Sequence, residues 1–264
     1  MTAARGRALA AWYRQHGRHD LPWRRTHDRW AVLVSEVMLH QTQVGRVSAG
    51  WEAFLARFPD PATTASSAPA AVIEAWGRLG YPRRARRLWD SAVVIARDGW
   101  PADLRELPGV GRYTAAAVRA QADGADTMGV EVNIRRVCER TAGRRLTERE
   151  AEVQAVALAA PLTGRDRLLA LMDLGATVCP RRSPSCDGCP LRDGCTTRGP
   201  LPGEQPARQG RFEGSFRQRR GQVLARLRAD GAAPAAELDG EALHSLVDDG
   251  LAEITGERAH LPRS

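Results

Sequence analysis

The chain has 264 residues, of which 43% are hydrophobic and 27% are charged. These proportions are typical of one large or two modest globular domains, and they exclude a peptide, a disordered tail and a fibrous repeat. The formal net charge of +8 favours a polyanionic partner such as nucleic acid, although a basic surface without a function would give the same sum. No apolar stretch approaches the roughly 18 residues of a membrane span and no signal peptide is recognisable, so we expect a cytoplasmic protein without a membrane partner.

Nearly every segment up to residue 178 has the composition of a helix, rich in Ala, Leu and Arg and without alternating β-branched residues. Asp28 and Thr147 are predicted N-caps, and Gly80 and Gly99 are predicted to end two of the helices. In chain order the predicted helices are Ala4–His16, Arg29–His40, Val44–Arg57, Pro69–Leu79, Arg83–Asp98, Tyr113–Gln121, Asn133–Thr141, Glu148–Ala160 and Arg165–Thr177.

A change of composition after Cys195, to Gly, Pro and polar residues, predicts a linker. Beyond it, Arg217–Ala229 has the pattern of a basic amphipathic helix, Glu241–Asp248 that of a second helix, and Leu251–Leu261 that of a two-stranded wing. Together these segments predict a small winged-helix-like module.

The 39 basic residues are all arginines, because the sequence contains no lysine. Arginine is a fixed cation that cannot become the neutral amine of a Schiff base, so a mechanism that needs a catalytic lysine is excluded. Only the terminal amine remains for that chemistry.

Four of the five cysteines are close together, at Cys179, Cys186, Cys189 and Cys195. The array has one close pair flanked by two wider gaps, which suits a loop-wrapped cubane cluster better than the paired ligands of structural zinc. Zinc, or no metal, remains open from spacing alone. Cys138 lies apart in an apolar helical stretch and is predicted to be a small core residue.

A Gly-rich turn, from Leu107 through Gly109 and Val110 to Gly111, joins two helical segments. Exposed N–H groups beside a helix N-terminus can bind a phosphate without a cationic side chain. The turn is therefore a candidate contact for a DNA backbone, with an ordinary helix connection as the alternative.

Two carboxylates occur in settings that suit catalysis. Glu36 lies in the apolar helix 29–40, where burial would raise its pKa toward that of a general acid, unless it belongs to a thin solvent-facing stripe. Glu131 is a second isolated carboxylate, two residues before Asn133. Such a pair can divide the work of proton donor and charge stabiliser in glycoside cleavage, if the two residues meet in space.

Five ordered motifs make the chain resemble the A/G-specific adenine DNA glycosylases, the MutY family of the helix-hairpin-helix superfamily that includes endonuclease III. They are Leu21-Pro22-Trp23-Arg24, the segment from Ser35 to Val44, Trp76-Gly77-Arg78-Leu79-Gly80-Tyr81, the segment from Leu107 to Thr114, and the four-cysteine array. The resemblance covers roughly residues 5 to 198. It implies an all-α, two-lobed glycosylase with a [4Fe-4S] cluster that binds mismatched or damaged double-stranded DNA between its lobes.

The resemblance also assigns roles to individual residues. Glu36 matches the general acid, Asn133 and Glu131 match the family's Asp-x-Asn motif with Glu in place of Asp, and Tyr113 stands where bifunctional relatives carry the Schiff-base lysine. The resemblance further implies which residues form the pocket for the flipped base and which contact the DNA. The base pocket would use Trp23, Arg24, Leu39 and Val44, and the DNA contacts would be Gln41, Thr42, Leu79, Tyr81, Leu107, Gly109, Val110 and Gly111.

From these residues we expect a monomeric, monofunctional glycosylase, acting at the nucleoid, that removes adenine opposite 8-oxoguanine or guanine. His40 stands where the family usually has Gln, and residues 212–264 are too short for the Nudix-like domain that ends many members. A different target base and a catalytically silent DNA-binding paralogue are therefore the alternatives. The expected domains are 1–27 and 136–198 for the cluster lobe, 28–135 for the helical lobe, 199–212 for the linker and 213–264 for the winged-helix-like module.

Overall fold

A computed structural model of the protein describes residues 2–204 and 210–263. Twelve α-helices and three short strands form its regular structure over these ranges. The helices are α1 (Thr2–His16), α2 (Arg29–Leu39), α3 (Val44–Arg57), α4 (Pro61–Ser66), α5 (Pro69–Trp76), α6 (Arg83–Asp98), α7 (Arg112–Ala122), α8 (Val132–Ala142), α9 (Glu148–Ala159), α10 (Gly164–Asp173), α11 (Phe216–Asp230) and α12 (Gly240–Asp248). The strands are β1 (Ala232–Pro234), β2 (Glu253–Thr255) and β3 (Arg258–His260).

The chain divides into two compact units, and the first consists of Met1–Glu36 and Val110–Ala207. Its core lies where α1 packs on α9 and where α10 packs on α7 and α8. Leucine and alanine side chains from these helices fill that core, including Leu9, Ala155, Leu168 and Leu171. A short π-helical turn, Leu174–Val178, continues α10 into the cysteine loop.

The second unit consists of Val37–Gly109 and Arg208–Ser264. Helices α4 and α5 both pack on α6, and the rings of Phe54 and Trp76 meet edge to face at 6.3 Å within this core. At the C-terminus, α11 packs on α12, and the antiparallel sheet has the strand order β1-β3-β2. Residue pairs 232 with 260 and 253 with 260 give the register.

Most of the predicted helices are confirmed to within a few residues, and so are three of the four predicted caps. Asp28 Oδ1 accepts a hydrogen bond of 2.7 Å from the Ala31 N–H at the start of α2. Thr147 forms a reciprocal capping box with Glu150 at the start of α9, and Gly99 follows α6 as its C-cap.

The prediction that Gly80 ends a helix is wrong. Helix α5 ends at Trp76, and Gly77 is its C-cap with a φ of 55°, a conformation that glycine adopts without a steric penalty. Helix α4, capped by Asp60, and strand β1 were not predicted, because both are short. The helix has six residues and the strand has three. The centre of the predicted linker, residues 205–209, lies outside the described residues.

None of the helices in residues 2–204 and 210–263 has the length and the apolar content that a bilayer crossing requires.

Candidate active site

The carboxyl group of Glu36 is buried near the end of α2, where its side chain is 4% exposed. It accepts a hydrogen bond of 2.7 Å from Gln121 Nε2 and a second hydrogen bond from the Tyr113 hydroxyl. Burial raises the pKa of Glu36, the charge of Glu131 acts in the same direction, and the two hydrogen bonds oppose this rise. The structure therefore excludes the solvent-facing alternative for Glu36.

Glu131 caps the N-terminus of α8 with its own side chain. Its Oε1 accepts hydrogen bonds of 2.8 Å from the N–H groups of Asn133 and Ile134, and its Oε2 accepts one of 3.0 Å from Asn133 Nδ2. Burial raises the pKa of Glu131, while these donors and Arg136 oppose the rise by stabilising the anion. The helix N-terminus adds a favourable electrostatic field for a carboxylate.

The Tyr113 phenol lies close enough to both carboxyl groups for the charge of each to affect its pKa. Burial raises the pKa of its phenol well above the ordinary value, and the charges of Glu36 and Glu131 raise it further. Tyr113 therefore stays protonated and can donate a hydrogen bond to Glu36. The structure thus brings Glu36, Tyr113, Glu131 and Asn133 together within the first unit.

Arg24 and Trp23, both predicted to line a base pocket, lie in a short 3-10 helix and are buried. The Arg24 guanidinium forms a bidentate pair with Asp173, with distances of 2.6 and 2.7 Å, and Arg18 adds a third charged contact to the same carboxylate. Although burial opposes it, these arginines hold the pKa of Asp173 below its ordinary value. Arg24 is thereby fixed in position, and its charge favours the ionised form of Glu36.

One arginine connects the Glu131 cap to the cysteine loop. Arg136 donates hydrogen bonds of 2.7 Å to Asn133 Oδ1, 2.6 Å to the Gly175 carbonyl and 2.7 Å to the Cys179 carbonyl. Asn133 is thus held between Glu131 on one side and Arg136 on the other. A guanidinium suits this position because its donors form a planar fork of fixed geometry.

The four clustered cysteines are free thiols that line one cavity open to solvent. Apolar side chains, including Val137, Leu174 and Leu191, form much of its wall. Arg140 donates to Cys179 Sγ at 3.3 Å and pairs with Glu204 at 3.2 Å. Across the described ranges, no group of three or more His, Cys, Asp or Glu side chains forms a site for a single metal ion. Cys138 is fully buried in the core, as predicted.

In the second unit, Gln41 and Tyr81 are exposed residues with left-handed backbone, with φ values of 56° and 49°. Thr42 connects their loops, because its hydroxyl donates to the Leu79 carbonyl at 3.2 Å. Leu79 is buried, whereas Leu39, His40 and Val44 are half-buried. Burial lowers the pKa of His40, so its imidazole is neutral.

The Gly-rich turn lies between α6 and α7, and Gly109 is the residue at which its backbone turns. Gly109 adopts a φ of 80°, and a Cβ atom there would lie 2.9 Å from the Arg87 side chain, so this position requires glycine. Leu107 and Val110 are buried anchors, and Gly111 is the N-cap of α7. The first N–H groups of α7 follow this cap and have no intrahelical acceptors.

Sequence reasoning missed Gln121, Asp173 and Arg136. Each is a polar residue inside a helix that otherwise supplies core residues, which was a usable signal for buried polar side chains that need partners. Their partners could not be named, because Gln121 and Glu36 are separated by 85 positions and Arg24 and Asp173 by 149.

Comparison with known proteins places this geometry in a family. Residues 34–159 match the family described as HhH-GPD superfamily base excision DNA repair protein. The chain is 43% identical to the adenine DNA glycosylase of Mycolicibacterium smegmatis, over 94% of this chain and 92% of that protein. A solved thermostable thymine-DNA glycosylase is 27% identical, with a TM-score of 0.66 over 73% of this chain and 94% of that one.

An endonuclease III trapped on DNA as a covalent intermediate shares the fold, with a TM-score of 0.61 and 20% identity over 73% of this chain and 94% of that one. The helical scaffold and these sequence similarities define a base-excision DNA glycosylase. The chain belongs to the adenine DNA glycosylase (MutY) family of the helix-hairpin-helix superfamily.

Proposed function

We propose that the protein is a monofunctional glycosylase that flips adenine, mispaired with 8-oxoguanine or guanine, out of the duplex and hydrolyses its N-glycosidic bond. The observation that carries this proposal is the buried Glu36 carboxyl group, hydrogen-bonded to Gln121 and Tyr113 and coupled to Glu131. A carboxyl group with a raised pKa retains its proton closer to neutral pH, which a general acid requires.

In the proposed reaction, Glu36 donates its proton to a nitrogen of the leaving base as the N-glycosidic bond breaks and its electron pair moves to the base. The sugar develops positive charge, which the Glu131 carboxylate stabilises. Water then adds to the sugar and returns a proton to Glu36. Asn133 and the α8 N-terminus hold the Glu131 anion in place during these steps.

Tyr113 and the absence of lysine support a monofunctional enzyme. The chain has no lysine, and Tyr113, which is hydrogen-bonded to Glu36, matches the position where bifunctional relatives carry a Schiff-base lysine. Borohydride should therefore not trap the protein on DNA.

DNA binding is proposed to use two kinds of contact. The Gly109–Gly111 turn and the α7 N-terminus would hold a phosphate, and Leu107 would support the turn from the core. Gln41, Thr42, Leu79 and Tyr81 would fill the space that the flipped base leaves, while Trp23, Arg24, Leu39 and Val44 would contact the base.

The cysteine loop is proposed to hold a [4Fe-4S] cluster through Cys179, Cys186, Cys189 and Cys195. Four thiols that line one cavity with apolar walls match the all-cysteine ligand set of such a cluster. The four cysteines would hold the cluster as thiolates bonded to its irons, and the bound cluster would thereby cross-link the loop.

The C-terminal helices and sheet are proposed to form a winged-helix-like module that does not itself bind DNA. Residues 210–263 contain eight arginines and nine acidic residues, so the excess positive charge lies earlier in the chain. The α12 helix, second of the pair, includes Glu241 and Asp248. We further propose that the protein is a monomer acting at the nucleoid.

A different target base is the second candidate, because Glu131 replaces the family's aspartate and His40 its glutamine. The experiment is single-turnover base release on duplexes that pair adenine with 8-oxoguanine, guanine or cytosine, and thymine or uracil with guanine, with alkali to reveal abasic sites. Fastest release of adenine opposite 8-oxoguanine or guanine supports the proposal. Preference for a pyrimidine would establish the second candidate, and no release from any duplex would indicate a silent paralogue.

A further inference from the structure

The Arg84 guanidinium, in the first turn of α6, binds a concentrated set of acceptors. Its Nη1 donates to the carbonyls of Val37 at 2.8 Å, Met38 at 3.1 Å and His40 at 2.5 Å. Its Nη2 donates to Thr42 Oγ1 at 3.0 Å, the Leu79 carbonyl at 3.3 Å and the Gly80 carbonyl at 3.0 Å. One side chain therefore joins the loop after α2 to the turn before α6.

The same guanidinium lies against two aromatic rings. Its Cζ is 5.3 Å from the ring centroid of Trp76 and 5.3 Å from that of Tyr81. Such cation–π contacts are attractive, and they become stronger when they are desolvated. Burial lowers the pKa of Arg84 to about 10, so the group remains a cation at neutral pH.

The position of this charge is unfavourable for its own helix, since a cation near a helix N-terminus opposes the helix dipole. The α6 first turn contains no acidic residue that would compensate. The C-terminal carbonyls of α2, by contrast, are favourable acceptors for a cation. Arg84 is thus held by the neighbouring loops rather than by its own helix.

The two loops that Arg84 joins each carry a non-glycine residue with strained backbone, and these are the two that the described part of the second unit contains. Gln41 has a φ of 56° and Tyr81 a φ of 49°, and such strained conformations persist only where the surrounding structure imposes them. Arg84 binds the carbonyl before Gln41 and the carbonyl before Tyr81. Its contacts therefore fix both strained residues at once.

We propose that Arg84 is a positioning residue that joins the Gln41 and Tyr81 loops into one rigid wedge for base flipping. The inference rests on the proposed function, in which Gln41 and Tyr81 enter the duplex. Lysine cannot replace Arg84, because an ammonium has three donors around one point, whereas the guanidinium has a planar fork with five. The wedge would be assembled before DNA binds, so its residues lose little conformational freedom on insertion.

The test measures base flipping with 2-aminopurine in place of adenine opposite 8-oxoguanine, because the fluorescence of 2-aminopurine rises when it leaves the stack. The proteins compared are Arg84→Lys, the double variant Gln41→Ala/Tyr81→Ala, and the triple variant that combines them. Arg97→Lys is the matched control, since Arg97 lies on the same helix, is 70% exposed and pairs only locally with Asp98. All variants also carry Glu36→Gln, so that flipping is observed without base release.

We expect Arg84→Lys to slow flipping about tenfold, a change of about 1.4 kcal/mol, and Arg97→Lys to leave it unchanged. In the background without Gln41 and Tyr81 side chains, Arg84→Lys should change the rate less than about twofold, because residues that act through one another are not additive. An equal loss in both backgrounds, or no loss in either, would overturn the proposal.

Two further measurements keep the outcome interpretable. Thr42→Val removes the hydroxyl that bridges Arg84 and Leu79 with little change of shape. Even if Arg84→Lys unfolds, Thr42→Val should slow flipping when the Gln41 and Tyr81 side chains are present and change it less than about twofold in the Gln41→Ala/Tyr81→Ala background. Adenine release by the wild-type protein tests the proposed function separately. An active wild type with an additive Arg84→Lys effect rejects the wedge alone, whereas an inactive wild type that does not flip the base rejects both.

Discussion

The side-chain amide of Gln121 donates a hydrogen bond of 2.7 Å to Glu36 Oε1, from a position 85 residues away in the chain. Both side chains are buried, and the contact opposes the rise in the pKa of Glu36 that burial causes. Gln121 therefore sets how readily Glu36 gives up its proton.

Replacing Gln121 should change the pH dependence of base release. In Gln121→Met the hydrogen bond that stabilises the ionised carboxylate is lost, so the pKa of Glu36 rises further. Since release requires protonated Glu36, the alkaline limb of the single-turnover rate profile should move to higher pH. Gln154→Met is the control, because the Gln154 amide donates to the Thr141 hydroxyl instead of Glu36, and it should leave the alkaline limb in place. A shift to lower pH in Gln121→Met would contradict this account.

Burial of Glu36 should also appear in the stability of the protein. Because its pKa is raised above the ordinary value of 4.5, the folded protein retains a proton that the unfolded chain has released, so stability falls as pH rises through this window. The free energy of unfolding falls by at most about 1.4 kcal/mol per pH unit, which corresponds to a few degrees in Tm.

Glu36→Gln removes this loss because an amide does not titrate. The Tm of Glu36→Gln minus that of the wild type should therefore increase from the ordinary pKa upward and level off above the raised pKa. Calorimetry across this pH range measures the difference. A difference that stays constant with pH would show that Glu36 titrates normally.

The negative charge of Glu131 is predicted to be required for base release. Glu131→Gln should lower the single-turnover rate by at least about 100-fold on every substrate, because the positive charge on the sugar then lacks its anion. The amide oxygen can still accept from the Asn133 and Ile134 N–H groups, so the fold should be retained. Glu148→Gln, an exposed carboxylate on α9, is the control and should keep full activity.

Shortening the Glu131 side chain tests whether its length determines the target base. Glu131→Asp withdraws the carboxylate by about 1.5 Å, one carbon–carbon bond, and aspartate is a preferred N-cap. We expect higher activity than the wild type on adenine opposite 8-oxoguanine. A loss of activity on every mismatch would instead assign Glu131 to a different target base.

The cysteine loop gives a prediction about metal content. Protein purified without oxygen should contain about four irons per chain and no stoichiometric zinc. Cys189→Ser should lose the iron and weaken DNA binding, whereas Cys138→Ala, which changes a thiol buried in the core, should retain it. Tightly bound zinc in the wild type would contradict the cluster assignment.

The helical architecture could be predicted from the sequence because composition and capping residues act locally. Thr147 and Glu150 form their capping box within one turn, and Asp28 caps α2 three residues away. The Gly80 prediction failed because two glycines, Gly77 and Gly80, follow Trp76, and composition does not show which of them ends the helix. Gly77 does so in the structure.

The site could be predicted only in part. Glu36, Tyr113 and Glu131 were identified by motif, and the structure places them in one buried system. Their hydrogen-bond partners depend on which face of α7, α8 and α10 turns inward, and that is decided by tertiary packing. Arg136 and Asp173 could therefore be suspected as buried polar groups, but Asn133 and Arg24 could not be named as their partners.

The most direct test of the central claim compares base release and DNA binding by Glu36→Gln on adenine opposite 8-oxoguanine. The amide keeps the shape of the carboxyl group but cannot donate the proton, so the single-turnover rate should fall by about 100-fold to 10,000-fold. The Kd for the same duplex should remain within a few-fold of the wild-type value. Equal losses of binding and release would show that Glu36 supports the fold rather than the chemistry.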